Sequence, residues 1–232
     1  MKRVILLATL LFVVGTLAAA QDFPRVETSL GYSFVRVATS GDTVKDFNAN
    51  GGYGDLQYNL KKSIAIVGKF YGTTNGELPV VGSALPVDQT QFFYLFGPRV
   101  PIRVSKRVTP FFEYLIGGVH NSRSFSLANS SVPAGFTPPR GITVEPGAAG
   151  YTKFRSTQNA FAMEAGAGLD IAVTKTIAIR PVEIGYLPTH FSPFNFGTNE
   201  TFLAPLNVNS TRWQQNWTYS AGVTFRLGSK SM

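Results

Sequence analysis

Few residues in this chain have types and spacing that could do chemistry. His120-Asn121-Ser122 sets an imidazole two positions from a hydroxyl, the raw material of a nucleophilic hydrolase. Such a pair needs the base within hydrogen-bond reach and a further group to orient it. No acid lies close in sequence; Glu145 and Glu164 are the acids in the stretch that follows. A polar loop start explains the same tripeptide, so no catalytic residue is assigned. Gly166-Ala167-Gly168 lacks the third glycine of a nucleotide-binding loop and falls inside an alternating run, where glycines would relieve crowding. His120 and His190 are far apart and cysteine is absent. That excludes a thiol enzyme, a disulfide scaffold and a cysteine- or histidine-rich metal site. Neither a metal nor a cofactor is expected.

What remains is charge, and there is little of it. Of 232 residues, 21 are Lys or Arg and 13 are Asp or Glu, a formal net charge of +8. Charged residues are 15% of the chain, against roughly 25% in soluble domains. Aromatics reach 13%, which speaks against disorder. Several basic residues fall in short links, at Lys61-Lys62, Lys106-Arg107 and Lys175, and the rest are scattered rather than set in a stripe. Together with the export signal described next, this argues against a nucleic-acid partner.

Residues 1–20 read as a cleaved export signal peptide. Lys2 and Arg3 precede an apolar run from Val4 to Leu17, and Ala18-Ala19-Ala20 supplies small residues for cleavage before Gln21. Losing Lys2 and Arg3 takes the mature charge to +6 (8 minus 2). Residues 21–232 then form one domain with no later apolar run long enough for a membrane helix.

That domain alternates apolar and polar residues in eight segments, the signature of half-buried strands. In the last, Trp213, Trp217, Tyr219, Ala221, Val223, Phe225 and Leu227 share one face, with Gln214, Asn216, Thr218, Ser220, Gly222, Thr224 and Arg226 on the other. In the first, Val26, Leu30, Tyr32 and Phe34 oppose Glu27, Ser29 and Ser33. In the seventh, alternation survives only if Pro181 marks a bulge that resets the phase. Short turns are expected at 60–63, 104–107 and 173–176, and long links at 38–46, 72–89, 120–158 and 188–211. Tight turns at one end and long loops at the other make an up-and-down barrel of the transmembrane kind.

A soluble ligand-binding barrel would turn the apolar face inward, but it would need a well-charged exterior. Here the polar faces carry few charges of both signs: Glu27, Asp55, Lys69, Arg99, Glu113, Glu164, Arg180 and Glu183. These suit a narrow lumen, since eight strands leave just enough room for side chains. The apolar face therefore meets lipid. Tyr32, Phe34, Trp213, Trp217 and Tyr219 stand near strand ends on it, where membrane-interface aromatics belong. The fold class is all-β: an eight-stranded antiparallel up-and-down transmembrane β-barrel. The buried charges are expected to pair into a network that plugs the lumen. A narrow ion path past the same charges is the alternative. Loop recognition through Phe125, Phe136, Phe194 and Phe196 is a further one, although loop aromatics often only pack a loop onto the rim.

Over residues 22–227 the chain resembles the small OmpA/OmpX-like outer-membrane β-barrels of Gram-negative bacteria. Ser220-Ala221-Gly222-Val223-Thr224-Phe225-Arg226-Leu227 is similar to their C-terminal assembly signal, which makes Gly222, Phe225 and Leu227 its carriers. It departs in ending on Leu227 with five residues following. Tyr94-Leu95-Phe96-Gly97-Pro98-Arg99-Val100 is similar to a Gly-Pro stretch common in such barrels. The resemblance implies a place in the outer membrane, with its lipid and lipopolysaccharide as surroundings. It also implies the barrel assembly machinery during biogenesis and an unidentified extracellular partner at the loops. His120-Asn121-Ser122 is similar to the His-x-Ser of the outer-membrane lipid A deacylases, which leaves a lipid-modifying enzyme as a third reading beside an envelope protein and a channel.

Overall fold

A computed structural model describes residues 23–38, 46–76, 87–192, 203 and 213–230. The export signal, Phe194 and Phe196 lie outside the described residues. Nine strands form one antiparallel sheet: β1 (Phe23–Ala38), β2 (Phe47–Lys61), β3 (Ile64–Asn75), β4 (Asp88–Pro101), β5 (Val108–Ala128), β6 (Ile142–Pro146), β7 (Tyr151–Ala172), β8 (Ile177–His190) and β9 (Gln214–Lys230). Eight of them close a ring in which each strand pairs with its neighbours in sequence, β5 pairs with β7, and β9 returns to β1. That last seam runs from Phe23 opposite Lys230 to Ala38 opposite Gln215.

The alternation of the sequence is what the ring uses. Leu30, Tyr32, Leu56, Phe70, Phe92, Tyr94, Phe96, Phe112, Tyr114 and Ile116 all point outward and are exposed. Glu27, Asp55, Lys69, Arg99, Glu113, Glu164, Arg180 and Glu183 all point inward and are buried. A closed ring satisfies every backbone donor and acceptor without water, as a spanning sheet must. The phase reset in β8 is present: its ladder to β9 slips between Arg180 and Glu183, and Pro181 and Val182 both face outward. Pro98 projects outward, and the β4–β5 pairs pass from Phe96 opposite Ile116 to Arg99 opposite Glu113.

One expectation needs correction. The segment 120–158 is not a long loop. β5 and β7 continue as a paired ribbon up to Ala128 opposite Tyr151, well beyond the roughly 9–11 residues a tilted strand needs to cross a bilayer. A short 3-10 turn, Asn129–Ser131, follows β5. β6 then pairs with β7 from Ile142 opposite Ser156 to Pro146 opposite Thr152. β8 pairs with β7 between Phe161 and Ala172, so β6 takes over the β7 edge above the point where β8 ends. The barrel wall is taller on this side than alternation in the sequence indicates.

Candidate functional site

The site is the lumen, built as five strata from the turn end upward. Lowest, Glu27 on β1 accepts from Arg103 (3.0 Å), Asn59 (2.9 Å) and Arg226 (3.3 Å). Arg103 also donates to the Lys62 carbonyl and lies over the Phe23 ring, so the β4–β5 link folds back to floor the barrel.

Above it sits a cage of charges. Asp55 joins Arg99 (2.9 Å) and Arg180 (2.7 Å), and both guanidinium groups stack on Phe111. Arg99 reaches Glu113 (2.6 Å); Arg180 reaches Asp170 and Glu183, each at 2.8 Å. Lys69 donates to Glu113 (2.6 Å), Glu164 (3.1 Å) and Glu183. Tyr71 donates to Glu164 at 2.7 Å. Three cations thus face five carboxylates. Glu113, Glu164 and Glu183 offer oxygens within 4.8 Å of one another, but the Lys69 ammonium touches all three. It supplies the positive charge that such a cluster needs. Gly168 makes room beside Phe111: a Cβ there would come within 2.4 Å of the ring.

The third stratum is apolar. Two residues beyond a cage charge on their own strands stand Tyr53, Tyr71, Leu115 and Ala162; Phe93, Val119, Leu187 and Phe191 belong to the same cluster. Tyr53 fits over Gly31 and Gly222, paired partners on β1 and β9. A Cβ on Gly222 would lie 2.3 Å from the Leu30 carbonyl and 2.9 Å from the Tyr53 hydroxyl. Above this, Thr73, Gln91, Asn121, Thr189, Gln214 and Asn216 form a polar layer. Thr73 Oγ1, both amide atoms of Gln91, and the Oδ1 atoms of Asn121 and Asn216 have no protein hydrogen-bond partner there. A last apolar cluster caps the barrel: Val35, Val37, Phe47, Ala49, Val87, Phe125, Ile142, Phe154 and Leu203.

Every lumen charge singled out in the sequence lies in these strata. Glu27 stands apart in the floor group, and the other seven meet in the cage. Sequence reasoning missed Arg103, which stands just before the expected 104–107 turn and carries no signal of its own. Phe125 and Phe136 both pack on Phe154: Phe125 stacks on it at 5.4 Å and Phe136 meets the same ring edge-on at 5.8 Å, inside the cap. His120 points outward and contacts Asn159 at 2.7 Å. Glu145 is held by Arg155 (3.2 Å) and Glu164 by the cage, so neither orients His120.

Outside, Tyr32, Phe34, Trp213, Trp217 and Tyr219 stand on the outward face near the level where the apolar belt ends. Phe34 meets Tyr219 at 6.2 Å, Trp217 meets Tyr186 at 5.3 Å, and Trp213 meets His190 and Phe161. Phe225 and Leu227 are exposed on the same face of β9, below them.

A closed antiparallel ring with an apolar exterior and a filled, charged interior defines a transmembrane β-barrel of the outer-membrane class. The sequence matches no protein-family model and no curated protein. Solved structures do match. Ail, the attachment invasion locus protein of Yersinia pestis, superposes with a TM-score of 0.50 at 17% identity, covering 88% of this chain and 99% of that one. Neisserial surface protein A gives 0.52 at 11% identity, covering 87% and 97%. The outer membrane protein OprG of Pseudomonas aeruginosa gives 0.51 at 10%, covering 90% and 98%. The chain has the fold of these small outer-membrane barrels along nearly its whole length.

Proposed function

We propose that this chain is an integral envelope protein of the outer membrane, without catalytic activity, whose lumen is closed to solutes and whose tall long-loop end faces the exterior. Export through removal of residues 1–20 and insertion of 21–232 as one barrel belong to the same reading. So does recognition of Gly222, Phe225 and Leu227 by the assembly machinery. For Gly222 there is a packing reason as well, since Tyr53 occupies its missing side chain's place.

The observation that carries the reading is the stacking of an ion-paired charge cage directly beneath an apolar stratum. Lys69, Arg99, Arg180, Tyr71, Phe93, Phe111 and Leu115 are all under 2% exposed. A conducting path needs polar groups lining a continuous opening, and the Tyr71–Phe93–Leu115 level supplies neither. Ail has been solved with the heparin analogue sucrose octasulfate. At the long-loop end of this chain Arg36 is paired with Asp46 (3.6 Å) and Arg155 with Glu145 (3.2 Å).

The test is conductance. Residues 21–232, refolded in detergent and verified as a barrel by a heat-dependent gel shift, are expected to leave a planar bilayer silent. Discrete, reproducible steps that change when Arg180 or Glu183 is neutralised would make the protein a channel instead.

A further inference from the structure

The two ends of the barrel differ in exposed charge. The links β2–β3, β4–β5 and β7–β8, the start of β1 and the end of β9 all lie at the turn end. Around that rim stand Arg25, Lys61, Lys106, Arg107 and Lys175, all exposed, and the half-buried Lys62. Two further cations, Arg103 and Arg226, are spent on Glu27. The carboxylates of this end among the described residues, Glu27 and Asp170, are buried and paired. The exposed or half-buried acids among the described residues, Asp46, Asp88 and Glu145, all belong to the long-loop end. Among the described residues, the turn rim is therefore a ring of cations without exposed counter-charge.

It also carries apolar side chains that no part of the barrel covers. Val104 is 67% exposed, next to Lys106 and Arg107; Val173 is 64% exposed, next to Lys175. Both lie just past the outward belt of Leu60, Ile64, Val100 and Leu227. A valine at a turn tip with cations beside it matches the boundary where acyl chains give way to phosphate. We infer that the turn rim is a docking surface for anionic phospholipid head groups of the leaflet on that side, each cationic turn holding head-group phosphate while its valine dips between the chains. This rests on the membrane reading above. A basic residue near an anionic membrane surface is attracted to it, so five or six of them together select lipid by charge. The attraction weakens with salt, because the groups are exposed.

The verified barrel is placed in phosphatidylcholine vesicles containing spin-labelled phosphatidylglycerol or spin-labelled phosphatidylcholine. The fraction of motionally restricted label gives the relative association. We expect a preference for phosphatidylglycerol of about threefold or more at low salt, falling towards unity in high salt. Replacing Lys61, Lys62, Lys106, Arg107 and Lys175 by Gln should abolish it. The smaller set Lys106→Gln, Arg107→Gln and Lys175→Gln should reduce it part of the way, which guards against a misfolded fivefold variant. Arg36→Gln, Arg140→Gln and Lys153→Gln, at the other end, should leave it unchanged. Equal association of both lipids overturns the inference, as does a preference that survives the fivefold variant or is lost equally with the long-loop set. Capture of a soluble polyanion without any lipid preference overturns it too. A barrel that does not enter vesicles at all overturns the membrane reading itself, so the two failures are distinguishable.

Discussion

Within the membrane belt, this barrel keeps charges inside and apolar groups outside; in its upper extension the arrangement is reversed. β1 shows the change along one strand. Up to Phe34, Glu27, Ser29 and Ser33 face inward while Leu30 and Tyr32 face out. From Val35 onward, Val35 and Val37 face inward and Arg36 faces out, hydrogen-bonded to Asn48 at 3.1 Å. β2 repeats it, with Phe47 and Ala49 inward above, and Asp55, Gln57 and Asn59 inward below. Along these stretches of β1 and β2 the backbone pleat keeps its phase; the solvent outside changes. Where lipid surrounds the wall, apolar groups gain nothing by turning inward and polar groups must. Where water surrounds it, the ordinary hydrophobic core returns.

The contrast can be broken first at the cage. Lys69→Met removes the cation shared by Glu113, Glu164 and Glu183 and leaves buried carboxylates short of charge. A loss of about 3–5 kcal/mol is expected, or no folded barrel at all. Urea titration in detergent, followed by the heat-dependent gel shift, measures it. Retention of wild-type stability would mean the cage is not what holds the lower barrel.

Phe154→Ala empties the centre of the upper cap, where Phe125 and Phe136 both rest on the ring. The local cost is about 3–5 kcal/mol. It should appear as faster proteolysis of residues 129–150 with the barrel below still resistant to heat. Loss of both together would show that cap and belt fold as one unit.

Arginine on the outward face sharpens the comparison at smaller scale. Leu56→Arg, in the lipid belt, should cost about 2–4 kcal/mol. Thr74→Arg, outward on β3 nearer its long-loop end, should cost close to nothing. Equal penalties would erase the boundary drawn here. The smallest effect is a gain: Gln91→Leu replaces an amide whose two polar atoms lack protein partners and should stabilise the barrel by about 1 kcal/mol in the same titration.

The inversion also explains how much the sequence disclosed. Eight ring strands, the bulge at Pro181 and all eight lumen charges followed from alternation with the apolar face outward. Strand signals faded where apolar groups moved to the other face, at Val35 on β1 and near Phe125 on β5. Periodic pattern continued there with opposite meaning, so residues 120–158 read as loop and β6 went unseen. Phe125 and Phe136 looked like display residues because that stretch looked unpaired. Arg103 was hidden for another reason: turn arginines are ordinarily solvated, and only the fold brings one back over Glu27.

The seam between β1 and β9 has a consequence for the order of events during biogenesis. Glu27 and Arg226, which meet across it, are 199 positions apart. Bringing such distant segments together sacrifices chain entropy before any contact repays it, and contacts of this kind make folding slow. Until β9 arrives, β1 and β8 are open edges beside an uncovered apolar surface, the condition in which sheets join the wrong neighbours. The closing strand, β9, is the last in chain order among the described residues. A chain that folds after export must therefore keep both edges shielded until β9 reaches β1.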